Sequence, residues 1–203
     1  MTLGPNIRAV LFDFGGVLAE EGFRNGLIAL ARAQGLDAKR LHAQGMQAVY
    51  DSGFVLGRGT AADFWALMRQ RGGLRGEEAV LTQQILAGFL PRPRIIELVH
   101  RLRARGYLTA ILSDQTHWLD ELDARHHFKA AFDRVYNSYY LGKGKRDPSL
   151  FAEVAADLTL PPAALLFVDD DMGNVQRARE AGYQGLLFVD QQTCIAALER
   201  LLD

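Results

Sequence analysis

The chain has 203 residues, 49% of them hydrophobic and 23% charged, with a formal net charge of -1 and a single cysteine. That composition suits one globular unit with room for an insertion, supplies no overall field for nucleic acid or an anionic membrane, and leaves Cys194 without an intramolecular disulfide partner, as a reducing cytoplasm would have it. "MTLGPNIR" lacks a charged start followed by a long apolar stretch, and no apolar run approaches the ~20 residues of a membrane span, so an unprocessed chain with no membrane or nucleic-acid partner is expected.

In chain order, "IRAVLFD" (7–13) predicts a first strand that stays apolar until Asp13. From about Glu20 to Phe89 the pattern turns helical, with no convincing strand. Thr60 and Asp63 form a helix-start box ahead of Phe64, Leu67 and Met68, and glycines at 35, 53, 57, 59, 72, 73 and 76 mark turns, so three or four helices are expected in this segment. "LPRPR" (90–94) closes it, because Pro91 and Pro93 disfavour continuing the preceding helix and Pro93 suits the first turn of the next. Four more strands are predicted at 107–114, 133–138, 164–170 and 185–190. Helical spacing falls between and after them, through Ile95 to Leu102, Leu150 to Leu158, Val175 to Ala181 and Ile195 to Leu202. Alternating strands and helices, with strands apolar on both faces, predict an α/β three-layer sandwich on a mainly parallel sheet. The division expected is a core of 1–19 and 90–203 and an all-helical cap of 20–89.

In such a sheet ligands bind beyond the carboxyl ends of the strands. Those ends carry Asp13, Ser113 with Asp114, and the run Asp169, Asp170 and Asp171, while "LGKGKRDP" brings Lys143, Lys145 and Arg146. Clustered carboxylates raise one another's pKa, a conflict that a divalent cation removes. Hard oxygen ligands suit Mg²⁺, with Asp13 and Asp170 as ligands and Asp169 beside them. A lysine and a cation together favour a dianionic phosphoryl group, and a neighbouring carboxylate, here Asp13, can attack phosphorus. Gly15 and Gly16 permit a tight turn whose N–H groups approach phosphate oxygens, and Ser113 can donate to the same oxygens.

"FDFGGVL", "ILSD", "GKGKRDPSLF" and "LLFVDDDMGNVQRAREAG", in this order, resemble the four motifs of the haloacid dehalogenase-like (HAD) hydrolases. The resemblance runs from about residue 8 to residue 189, and its phosphatase-type members are the nearest in pattern. It implies a Rossmann-like core, a helical cap after the first motif, and Mg²⁺-dependent hydrolysis of a small phosphorylated metabolite through an aspartyl-phosphate, by a cytoplasmic monomer or homodimer. By position it makes Asp13 the nucleophile and a metal ligand, and gives the metal the Gly15 carbonyl and Asp170. Ser113, Lys145, Gly15, Gly16 and Asp114 would hold the phosphoryl group, while Asp169 and Asn174 would support the site from behind.

Two positions depart from that pattern. The family's phosphatases usually carry an acid–base aspartate where this chain has Gly15, so good leaving groups such as sugar 1-phosphates, or aryl or acyl phosphates, are expected, unless Asp114, Glu20 or Glu21 supplies the proton. Arg146 replaces a common proline. Two other classes stay open: a metal-independent 2-haloacid dehalogenase, and a non-catalytic phosphate-binding module on the same fold. His126 and His127 are expected to be a surface pair, and Arg24, Arg58 and Lys143 solvated charges able to meet a substrate's far end.

Overall fold

The structure, a computed structural model, describes residues 6–200; the opening residues of "MTLGPNIR" and Leu202 lie outside them. Five parallel strands make one sheet: β1 (Ala9–Phe12), β2 (Leu108–Ser113), β3 (Arg134–Asn137), β4 (Leu165–Asp169) and β5 (Gln184–Leu187), in the order β3-β2-β1-β4-β5. The first four lie within predicted apolar runs, each shorter than its run, while β5 starts one residue before the predicted 185–190 and ends at Leu187.

Alternation along the central strands sorts the two faces. Val10, Phe12, Ile111, Leu166 and Val168 face one side, where they pack with α5 (Pro93–Ala104), α6 (Trp118–His126) and α10 (Gln191–Glu199). Ala9, Leu11, Ala110, Leu112, Leu165 and Phe167 face the other, under α8 (Ser149–Asp157) and α9 (Met172–Glu180). Helices thus cover both faces, as a sheet apolar on both sides requires.

Between β1 and α5 run four helices, α1 (Gly22–Ala33), α2 (Ala38–Asp51), α3 (Ala61–Gly72) and α4 (Glu78–Leu86), with a 3-10 turn at Phe54–Leu56. Thr60 starts α3 with a reciprocal capping box: its hydroxyl accepts from the Asp63 N–H at 3.2 Å and Asp63 accepts from the Thr60 N–H at 2.8 Å. Phe64, Trp65 and Met68 on that helix are fully buried. They belong to the same apolar cluster as Phe12 and Ile111 of the sheet, so packing continues from the sheet into these helices.

The chain enters and leaves this segment at one place. Glu20 donates its N–H to the Leu90 carbonyl at 2.9 Å, Arg92 donates its own to Leu18 at 2.8 Å, and Ala19 bridges antiparallel to Pro91. Pro93 then opens α5. Two further details differ from the sequence reading: Ser138, expected to end the third strand, starts the single turn α7 (Ser138–Leu141), and Gly72 closes α3 while Gly73, at φ 69°, makes the turn.

Candidate active site

The three central strands deliver the acids. Phe12 pairs with Ile111 on one side and Val168 on the other, and the Asp13 N–H donates to the Val168 carbonyl at 2.9 Å. Asp13, Ser113 and Asp169 therefore stand on neighbouring strand ends. Strand order reverses on the two sides of β1, the point where open α/β sheets form a crevice.

Lys145 fills the space between two of them. Its ammonium, 2% exposed, lies 2.7 Å from Asp13 Oδ1 and 2.7 Å from Asp169 Oδ2. Asp169, fully buried, is saturated with donors: besides Lys145 it accepts the Asp171 N–H at 2.7 Å, and Asn174 Nδ2 reaches its two oxygens at 3.2 and 3.1 Å. Asp171 caps α9 by accepting from the Asn174 N–H at 2.9 Å, and the Arg177 guanidinium donates to the side-chain Oδ1 of Asn174 at 2.6 Å. Asp13 is different. Its Oδ1 pairs with the ammonium by charge, yet is buried without a well-directed hydrogen bond.

Charges do not balance here, since Asp13, Asp169 and Asp170 face one ammonium. Burial pushes the Asp13 carboxyl up to about 7, with Asp169 adding to the rise and Lys145 and the Ser113 hydroxyl opposing it. Asp170 is raised by burial and then by Asp169. For Lys145 burial works downward, but Asp13, Asp169 and Asp114 outweigh it and hold the ammonium above its ordinary value. The lysine stays charged and the uncompensated charge is negative.

These donors fit a small hard cation. Asp13, Asp169 and Asp170 each offer an oxygen, all within 4.8 Å of one another, and with Asp169 occupied by donors the oxygens left for an ion belong to Asp13 and Asp170. A divalent ion would supply the missing positive charge to Asp13 and Asp170. Gly16 makes room for this: at φ +88°, a Cβ on it would stand 2.3 Å from Asp170 Oδ2. Its N–H donates to the Ala19 carbonyl at 2.9 Å. Gly16 thus differs from the expectation of an amide turned toward phosphate; its role in the structure is to clear space for a carboxylate.

Residues 7–182 match the haloacid dehalogenase-like hydrolase family. The chain belongs to that family. D-ribitol-5-phosphate phosphatase of Bacteroides thetaiotaomicron is 26% identical over 88% of this chain and 90% of its own. Bifunctional epoxide hydrolase 2 of Rattus norvegicus is 26% identical over 60% of this chain, a match spanning only 23% of that longer relative. Three solved structures share the fold. A predicted HAD-like family hydrolase from Porphyromonas gingivalis superposes with TM-score 0.72 at 24% identity, covering 97% of this chain and 98% of its own. A HAD family enzyme of B. thetaiotaomicron in complex with magnesium and inorganic phosphate gives 0.66 at 20%, covering 93% and 98%. The L-2-haloacid dehalogenase of Xanthobacter autotrophicus gives 0.65 at 23%, covering 96% and 81%.

In this HAD-like hydrolase the acids open onto a cavity of about 310 Å³, whose walls include Asp13, Ser113, Lys145 and Asp170 from the core and Arg24, His42 and Tyr50 from α1 and α2. Of the three carboxylates considered as replacement acids, Glu20 pairs with Arg92 at 3.0 Å. Asp114 accepts from the Lys145 N–H at 2.9 Å and from the Tyr50 hydroxyl at 2.8 Å, so both its oxygens hold structure together. Glu21 caps α1 through Oε2, and its Oε1 lies 3.7 Å from where a Gly15 Cβ would be. Burial, chiefly, raises the Glu21 carboxyl.

Among the cations set aside as solvated, Arg24 faces the cavity. Arg58 donates to the Gly142 carbonyl at 2.8 Å and Lys143 to Glu153 at 2.6 Å. His126 and His127 are exposed, and Cys194 is buried with its thiol pushed up to about 12, chiefly by burial.

Two residues escaped the sequence reading. Arg92 donates through one guanidinium nitrogen to the carbonyls of Gly16, Val17 and Ala19 at 2.7, 3.0 and 2.6 Å, fixing the turn that follows Asp13. Its one signal was an arginine set between two prolines where a helix begins. Tyr50 joins α2 to the site through Asp114, and the Arg146 guanidinium lies 4.0 Å from its ring centroid. Nothing in helical spacing distinguishes such a tyrosine from any other on α2.

Proposed function

We propose that this hydrolase cleaves a small phosphorylated metabolite, with Mg²⁺, through an aspartyl-phosphate on Asp13. The observation that carries the reading is Lys145 buried between Asp13 and Asp169 at 2.7 Å from each, with Asp170 alongside. A buried ammonium shared by two carboxylates fixes the attacking group and offers a charge to phosphoryl oxygens. Asp13, Asp170 and the Gly15 carbonyl would hold the cation, which when bound neutralises phosphoryl charge and draws the Asp13 carboxyl down to its reactive anion. Asp169 and Asn174 keep Lys145 and the loop in place. Ser113 would donate to the phosphoryl group.

In the reaction an Asp13 oxygen forms a bond to phosphorus as the ester P–O bond breaks, its electron pair leaving with the alcohol oxygen. Water then attacks phosphorus, restoring the carboxylate; one water proton goes to the alkoxide and the hydroxyl stays on phosphate. With no side chain at position 15, an ester whose alcohol departs readily is the better substrate, such as a sugar 1-phosphate, an aryl or an acyl phosphate. The segment 20–89 would act as a cap that selects the substrate and excludes water. The enzyme is read as cytoplasmic, a monomer or homodimer.

The test is phosphate release with and without Mg²⁺ across phosphorylated metabolites, with Asp13→Asn as control. Release that needs both the metal and Asp13 is expected; halide release from 2-haloacids without metal is the contrary outcome.

A further inference from the structure

A second cavity adjoins the catalytic one beneath α1 and α2. Its volume is about 110 Å³, and its apolar walls are Phe23, Met46, Val49, Val55 and Trp118. Glu21, Tyr50, Asp114 and Gln115 line both spaces. Because Asp114 and Gln115 directly follow Ser113 in the chain, the apolar space opens next to the seat proposed for the phosphoryl group. Its far wall is firm: Trp118, 3% exposed, packs against Phe54 at 5.2 Å and Trp65 at 6.1 Å between ring centroids.

Gly15 stands at the junction. A Cβ there would lie 3.5 Å from Gln115 Nε2 and 3.7 Å from Glu21 Oε1, two of the residues that line both spaces, and 3.3 Å from Phe89. A longer side chain would extend into the passage; glycine leaves it open. The same hydrogen means that no carboxyl reaches a departing oxygen from this turn. One position thus opens a route for an apolar group and favours a leaving group that needs no proton.

We propose that the apolar cavity receives the leaving group, and that the substrate is an aryl phosphate monoester with a single ring. This rests on the aspartyl-phosphate reading and narrows its substrate. An apolar cavity of roughly 150 Å³ holds benzene, so a space of about 110 Å³ takes one ring only with the ring's phosphate-bearing edge in the adjoining catalytic cavity, with which it shares lining residues, and has no room for a fused polycycle or a long acyl chain. A sugar would bring hydroxyls against Phe23, Met46, Val49, Val55 and Trp118, which offer them no partners, whereas the polar lining of Glu21, Tyr50, Asp114, Gln115 and Thr116 could meet only part of its rim. Asp13 bonds to phosphorus as the P–O bond to the aryl oxygen breaks, and the electron pair leaves with a phenolate, whose conjugate acid has a pKa of about 10. Water then releases HPO₄²⁻ from Asp13, and its remaining proton goes to the phenolate.

The experiment compares kcat/KM with Mg²⁺ for phenyl phosphate, glucose 1-phosphate and acetyl phosphate, the last a good leaving group without a ring. Phenyl phosphate is expected to exceed glucose 1-phosphate by tenfold or more. Val49→Phe and, separately, Val55→Phe fill the apolar cavity and should lower the phenyl-to-acetyl ratio at least tenfold; acetyl phosphate turnover in the same preparation reports how much of the variant is folded. Turnover of acetyl phosphate with no advantage for phenyl phosphate, or a ratio that neither variant moves, overturns the aryl proposal alone. No turnover of any of the three by the unaltered protein overturns the proposed function and the aryl reading with it.

Discussion

The carboxyl rim of the sheet and the helices between β1 and α5 solve different problems. At the rim, each functional side chain sits at the end of a strand whose register is fixed by its neighbours, Ser113 and Asp169 as last residues and Asp13 one residue beyond, so backbone hydrogen bonds place all three. In the helices, the residues that reach the site do so only because apolar packing sets how α1 and α2 lie over the rim: Phe23, Met46, Val49 and Tyr50 come from faces whose period says nothing about the site. Chemistry is held by the rigid part, and shape by the packed part. Changes at the rim should therefore abolish turnover for every substrate, whereas changes in the helices should alter preference among substrates.

The largest effect is expected from Asp13→Asn, which should cut phosphate release by on the order of 10³-fold or more for any ester. A loss confined to some substrates would break the division of labour. Lys145→Met comes next. It leaves Asp13 and Asp169 buried without their shared ammonium, and removing one partner of a buried pair costs about 3–5 kcal/mol, which urea titration would read. Arg92→Ala sharpens the comparison, because Arg92 sits where the helical segment meets the core yet holds the Gly16 turn. With a charged donor to backbone lost, about 1.5–3 kcal/mol of stability should go, and turnover should fall alike for all substrates.

Gly15→Asp probes the junction itself. The nearest atom to the new Cβ is Phe89 Cε1 at 3.3 Å, a ring that must give by a few tenths of an ångström. Rates on alkyl phosphates should rise by ~10²-fold, as a positioned acid allows, while selectivity for ring-bearing esters falls. The smallest effect expected is from pH on the metal-free protein. Asp13 moves from 3.8 to about 7 on folding, so its contribution to stability is fully present below about 4 and is lost as pH rises through 7. Asp170 and Glu21, also raised, act in the same direction, and His42, lowered chiefly by burial, opposes them. Urea midpoints without metal should rise as pH drops from 8 to 5, and Mg²⁺ should flatten that slope by favouring the ionised acids.

Much of the rim was legible because an apolar run that ends on an acid is a local signal, and three such ends in order, with a lysine-bearing loop between the second and third, define a site without knowledge of packing. The helix starts at Thr60 and Pro93 were legible for the same reason: capping and proline chemistry act within one turn. What escaped depends on distance in the chain. Arg92 reaches back to carbonyls 73 to 76 positions earlier, and Tyr50 meets an aspartate 64 positions away. Gly16 was read as a phosphate contact because a glycine in a turn suggests open backbone; its actual constraint, the Asp170 carboxylate against its Cα, comes from a different strand end.

The central claim is that Asp13 takes the phosphoryl group. Mixing the protein with acetyl phosphate and Mg²⁺, quenching in acid within a fraction of a turnover and mapping peptides by mass spectrometry tests it directly. The account predicts one phosphoryl group on the peptide containing Asp13, absent without Mg²⁺ and absent in Asp13→Asn. Phosphate release at full rate with the label on no peptide, or on a residue other than Asp13, would contradict it.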